Sequence, residues 1–214
     1  MKHKKRAGGF TLIELLVVIT IIGLLAGLAV PAIGRALDNA KQAADVVNAR
    51  QLGIIFFSLA NDEGGAYPVA GRDADGVRIT TPVASTTDLF EALITDKDMN
   101  EPKVLIANGK TAYKGSLSTP NLTATNVGWD YVAGQTTSSD SNIPLFLSTG
   151  AFTDVAGLTA TTIPDVSPST TNAWGNKGVV VYTVGNSSFF VKARAGGKID
   201  QLVETSPSGT FLKP

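Results

Sequence analysis

Phe10–Val30 reads FTLIELLVVITIIGLLAGLAV, 21 residues carrying one charge, Glu14. At 1.5 Å per residue this helix would be roughly 31 Å long, matching the hydrocarbon core of a bilayer. Lys2, Lys4, Lys5 and Arg6 precede it, with no acid among them. That charge step holds the N-terminus in the cytoplasm and sends the rest to the other side. A secretory signal peptide has the same basic start, and Val30-Pro31-Ala32 offers it a small-residue cleavage site. The apolar run is too long for that reading, and a carboxylate inside it is out of place. A plain membrane anchor has the right length but no use for Glu14.

An acid at that depth costs on the order of 2.5–3.5 kcal/mol on insertion scales, so it normally has a partner. The partner type at hand is a positive charge on a neighbouring copy of the same helix. Gly9-Phe10-Thr11-Leu12-Ile13-Glu14, followed by LLVVITIIGLL, closely resembles the class III signal of type IV pilins and type II secretion pseudopilins. The resemblance implies that Gly9 ends a leader removed by a prepilin peptidase and that Phe10 becomes the N-methylated new N-terminus. It also implies that Glu14 pairs with the α-amino group of Phe10 on an adjacent subunit during assembly. Such a buried pair sets register more reliably than it adds stability. Gly23, Gly27 and Pro31 fit the same pattern. Pro31 removes a helical hydrogen bond and crowds the carbonyl four residues back, so a kink or local melting is expected between Gly23 and Pro31. Gly23-x-x-x-Gly27 also reads as a small-residue contact face between helices.

Beyond Pro31 the helical pattern continues to about Asn61. Ile33, Leu37, Ala40, Ala44, Val47, Leu52, Ile55, Phe56 and Leu59 mark an apolar face, and Arg35, Asp38, Lys41, Asp45 and Arg50 a polar one. Gly64-Gly65 should stop the helix, and Tyr67-Pro68 opens irregular chain. The chain therefore divides into a leader (1–9), a transmembrane and assembly helix (10–31), an amphipathic helix (32–62) and a globular domain (63–214). The stretch from Asn48 through Asp62-Glu63-Gly64 to Tyr67-Pro68 again resembles pseudopilins.

In the globular part, Asp88–Thr95 reads as a short amphipathic helix that Thr87 or Asp88 could cap. Gly128–Ala133 and Ile143–Ser148 read as strands. Gly178–Gly185 and Ser188–Arg194 form the clearest hairpin, turning near Asn186. Gln201–Glu204 or Thr210–Leu212 could add an edge. A long helix followed by short strands predicts an α+β fold, with an antiparallel sheet packed on the helix. The segments 134–142 and 153–174 are rich in Ser, Thr, Asp, Gly and Pro and read as loops. Asn172-Ala173-Trp174-Gly175-Asn176 resembles the Trp-Gly-Asn turn of major, G-type pseudopilins. A final His…Asp-Gly motif, common in another group of pilin-like proteins, is absent.

Composition narrows the chemistry. There is no cysteine, and the one histidine is His3, inside the leader. The mature chain therefore has no His-based nucleophile pair and no His-ligated metal site. Without the four leader cations, 14 basic side chains stand against 18 acidic ones, a net −4. That balance argues against nucleic acid as the main partner, though it leaves room for a local basic patch. Asp73-Ala-Asp75-Gly76 has the start of a calcium loop but lacks the later oxygen ligands and closing Glu. Calcium near the C-terminus, which some major pseudopilins bind, does not carry over, because few acids accompany Asp165 and Asn176. No cofactor is expected. Asp96, Asp98 and Glu101 read as a solvated acidic loop, and Trp129, Trp174 and Tyr182 as core.

The resemblance implies a structural, non-enzymatic role: a subunit of a homo-oligomeric filament at the bacterial inner membrane. Its partners would be the prepilin peptidase and methyltransferase, an inner-membrane assembly platform and other pseudopilins. Trp174-Gly-Asn176 and the missing cysteine pair favour a type II secretion pseudopilus. A type IV pilus for adhesion, motility or DNA uptake is the alternative, and a membrane-tethered enzyme or binding domain is the rival from another class.

Overall fold

The computed structural model describes residues 10–152, 158, 173–194, 199, 202–203 and 207–214. Contacts divide the chain into two units, 1–41 and 42–214. In the first, the helix α1 starts at Leu12; its full span is Leu12–Asp62, with Pro31 inside it. Helical geometry is continuous across Gly23, Gly27 and Pro31, so none of this stretch is melted in the free chain.

In the second unit α1 ends where Gly65 N reaches Ala60 O (2.7 Å), with Gly64 and Gly65 at φ 72° and 94°. Only glycine takes that left-handed conformation without cost, so the pair stops the helix as expected. The buried stripe of α1 in this unit is Asp45, Ala49, Leu52, Gly53, Phe56, Leu59 and Ala60. This corrects the sequence reading in its first turns. Ala44 and Val47 face solvent, whereas Asp45, assigned above to the polar face, is buried. At 100° per residue Val47 points about 140° away from Leu52, and only the 45, 49, 52, 56, 59 spacing keeps one face.

Helix α2 spans Thr86–Thr95, two residues earlier than predicted. Its cap is Ser85, whose Oγ accepts from Asp88 N at 3.1 Å, rather than Thr87 or Asp88. Ser85 has the extended backbone a cap needs, while Thr86 and Thr87 are already helical. A short 3₁₀ turn follows at Pro102–Leu105.

Five strands follow: β1 (Trp129–Ala133), β2 (Pro144–Ser148), β3 (Gly178–Thr183), β4 (Ser188–Lys192) and β5 (Thr210–Leu212). They form one sheet in the order β4-β3-β2-β1-β5, every neighbouring pair antiparallel. The fold is α+β, as the sequence predicts. The β3–β4 hairpin turns through Asn186, at φ 61°, and Thr210–Leu212 supplies the edge beside β1. Alternation along the strands gives the sheet two faces. Trp129, Tyr131, Phe146, Val180 and Tyr182 pack against α1. Phe56 is central there, meeting Phe90, Tyr131 and Phe146 edge-on with centroids 6.1, 5.3 and 4.7 Å away. The other face, Val132, Leu147, Val179 and Val181, has its own core with Ala151, Phe152, Leu158 and Ile199. The predicted loop 153–174 lies mostly outside the described residues, but Leu158 and Trp174 within it are buried.

Candidate functional site: the N-terminal assembly helix

Phe10 is the first described residue, and Gly9 lies outside the described set. Phe10 is 76% exposed, and the apolar side chains of α1 through Leu37 are exposed as well. One window of this helix is long and apolar enough to cross a membrane, and none of it is buried. That exposure differs from the core helix of a soluble protein, whose apolar window is mostly covered. A Cβ added at Gly23 or Gly27 would meet nothing within 4 Å, so both positions are open for close approach by another helix.

The helix start is tied by a reciprocal cap. Glu14 Oε2 accepts from Thr11 N (2.8 Å) and Thr11 Oγ1 (2.7 Å), and Glu14 N donates to Thr11 Oγ1 (3.3 Å). This is a capping box, with each side chain satisfying the other's free backbone N–H. Its signal, Thr-x-x-Glu ahead of an apolar run, stands in the sequence but is absent from the expectations above. Before any neighbour is present, the Glu14 carboxylate thus has donors of its own, one turn from the end it would serve.

In the second unit two polar clusters organise the domain. Asp45 Oδ2 accepts from Asn108 N and from Trp174 Nε1, both at 2.9 Å. Burial pushes the Asp45 carboxyl above the usual range, and the two hydrogen bonds oppose this. Asn48 Nδ2 donates to Ile106 O (3.1 Å) and Asn108 Nδ2 to Ala173 O (2.8 Å), so the Trp174 turn is held to α1. The second cluster corrects the solvated reading of Asp98. Arg78 donates to Glu63 (2.9 Å) and Asp98 (2.7 Å), and Arg72 reaches the same two carboxylates at 2.7 and 3.5 Å. Asp96 Oδ2 accepts from Arg72 N (2.7 Å), which leaves Glu101 as the exposed member of that acidic stretch. A cavity of about 520 Å³ lies beside these arginines, with Val69, Val77 and Ile79 in its wall.

Asp73 Oδ1 accepts from Asp75 N (3.0 Å) and Val77 N (2.9 Å), so it closes a turn. Among the described residues no group of three acidic or other ligating side chains could hold a metal ion. Trp129, Trp174 and Tyr182 are core residues, as predicted.

A family model described as the prokaryotic N-terminal methylation motif matches residues 4–30. Comparison with curated proteins gave no match, and neither did comparison with solved structures. The motif, the exposed apolar helix and the antiparallel sheet together support a type IV pilin-like protein. The motif implies processing by a prepilin peptidase and assembly into pilin-like filaments. The N-terminal helix suits a single-pass anchor in the inner membrane.

Proposed function

We propose that the protein is a structural subunit of a type II secretion pseudopilus. The observation that carries this reading is the methylation motif on a fully exposed apolar helix holding one acid, Glu14. Cleavage after Gly9 frees the amine of Phe10, which is then N-methylated. Glu14 leaves its Thr11 cap to meet the Phe10 amine of the subunit beside it. Exchanging one set of donors for another lowers the cost of keeping that carboxylate in the membrane. Gly23, Gly27 and Pro31 are where the helix bends to fit its neighbours. The domain faces the periplasm and contacts the other pseudopilins and the assembly platform. Support for a pseudopilus over a pilus comes from the Trp174 turn, anchored by Asp45, in a chain with no cysteine to staple its C-terminal part.

The test is the mass of the protein from native membranes. A chain beginning at Phe10 with one added methyl group supports prepilin processing; a chain beginning at Ile33, or one keeping the leader, overturns it. A deletion strain then separates the two machines. Loss of secreted enzymes with surface filaments intact fits the pseudopilus, and the reverse fits a pilus.

A further inference from the structure

The cavity of about 520 Å³ lies where the loop after α1 meets the chain leaving β1. Ala66, Val69, Val77 and Ile79 supply its apolar wall, and residues 134–136 close one side. Val77 and Ile79 are 61% and 41% exposed, so this wall opens to solvent. Arg72 and Arg78 beside it both pair with Glu63 and Asp98, so the charges at the cavity are matched within the chain. What remains to be covered is apolar surface, which suits an uncharged apolar occupant. Outside α1, the described part of the domain exposes two further large apolar side chains, Leu117 and Phe189. Phe189 is 42% exposed and stands on β4, at the edge of the sheet opposite β5. Three strand spacings separate β4 from β1, roughly 14 Å across the sheet. That separation keeps Phe189 out of the cavity of its own chain.

We propose that the Phe189 ring of one copy seats in this cavity of the next, a head-to-tail contact between the domains of neighbouring subunits. It rests on the filament reading above. Identical subunits in an open-ended assembly must pair two different patches, and the same contact then repeats from copy to copy. A knob at one sheet edge and a socket beside the other meet that requirement. A knob and socket on the same side would close a pair instead. An aromatic ring is also the anchor type that such contacts favour, because it brings large apolar area at little cost in side-chain order. Phe189 carries no charge, and the cavity leaves none to be matched. Leu117, the other exposed candidate, lies on the loop between Ser116 and Ser118 rather than on a strand.

The chain has no cysteine, so introduced thiols report the contact against a silent background. Thr80→Cys borders the cavity and Ser187→Cys lies two residues before Phe189. Both positions are exposed, and neither change touches the ring or the apolar wall. Native membranes carrying the full chain are reduced and treated with a short bis-maleimide. The double variant should give a ladder of dimers, trimers and higher species, and each single variant should stay monomeric. Phe189→Asp in the double variant should cut the ladder about tenfold, the loss expected for an aromatic anchor. Phe189→Tyr, which keeps the ring, should leave it in place. Lys103→Cys with Ser187→Cys, exposed and outside the cavity, should give no ladder. The mass of the same chain separates two kinds of failure. A chain starting at Phe10 with no ladder overturns the contact alone. So does a ladder untouched by Phe189→Asp, one lost equally in Phe189→Tyr, or one equalled by a single variant or the Lys103 pair. A chain that keeps its leader and gives no ladder overturns the filament reading, and the contact with it.

Discussion

The Trp174 indole donates to the Asp45 carboxylate at 2.9 Å across 129 positions of sequence. Both side chains are almost wholly buried, at 4% and 5% exposure. The same carboxylate oxygen takes Asn108 N, so one acid on α1 fastens two separate segments. Asp45→Ala leaves both donors without that acceptor, and should cost about 1–3 kcal/mol. Asp45→Asn keeps an acceptor oxygen in place and should cost less. Urea unfolding followed by tryptophan fluorescence gives both values. Equal stability in Asp45→Ala would mean the turn is held by its apolar contacts, such as Trp174 with Phe190 at 5.5 Å.

Gly53 lets β3 approach the helix. A Cβ placed there would lie 1.9 Å from Tyr182 Cζ and 2.3 Å from both Cε atoms, overlapping the face of the ring. Tyr182 cannot swing away freely, because it is fully buried and its hydroxyl donates to Asn186 Oδ1 at 3.0 Å. Gly53→Ala should therefore destabilise the domain by about 1–3 kcal/mol, although alanine is the better helix former. Combined with Tyr182→Leu, the two losses should be less than additive. Full additivity in thermal melts would show that the close contact is not the source of the loss.

Legibility in the sequence follows the range of the interaction. The long N-terminal helix, the Gly64-Gly65 stop and the β3–β4 hairpin rest on local periodicity and turn chemistry, and all are readable. Thr11 with Glu14 is just as local, a Thr-x-x-Glu spacing whose capping role the structure shows. Asp45 was misplaced because charge suggested solvent, and its partners Asn108 and Trp174 are 63 and 129 residues away. Asp98 went the same way, since Arg78 reaches it only once the loop after α1 has folded back. The second core could not be read either. Val179 and Val181 announce a buried strand without saying what covers each face.

Arg78 is the hinge of the charged cluster. Its side chain is 10% exposed and donates to both Glu63 and Asp98, themselves 16% and 15% exposed. It also donates to Ala70 O at 3.2 Å. Arg78→Ala leaves two poorly solvated carboxylates facing a vacated site, which should cost about 3 kcal/mol or more. Arg78→Lys should recover only part of this, because an ammonium cannot reproduce the fork that meets both acids. Arg72→Ala should cost less, about 1 kcal/mol, since that side chain is 30% exposed. Chemical denaturation of the three variants ranks them. A larger loss for Arg72→Ala than for Arg78→Ala would contradict this assignment.

Asp130 gives the domain a pH dependence of definite sign. Burial raises its pKa to about 6 from an ordinary 3.8, against the hydrogen bonds from Thr149 and Gly150 and the fields of Lys213 and Lys110. The folded state thus holds a proton there that the unfolded state releases near pH 4. Asp130 favours folding fully below that lower value, and this contribution is lost as pH rises through about 6. Unfolding free energy should fall between pH 4 and pH 6, then level off. The 2.2-unit difference between about 6 and 3.8 corresponds to a drop on the order of 3 kcal/mol. Asp45, also raised by burial, adds in the same direction. Other carboxylates titrate in the same range, so the measurement is the difference from Asp130→Asn, which carries no charge at any of these pH values. The variant's stability relative to the parent should rise across pH 4–6 and stay constant above about pH 7. A difference that is flat from pH 4 to 8 would mean Asp130 ionises alike in the folded and unfolded chain. Asp130 would then be solvated where it now lies buried under Thr149 and Gly150.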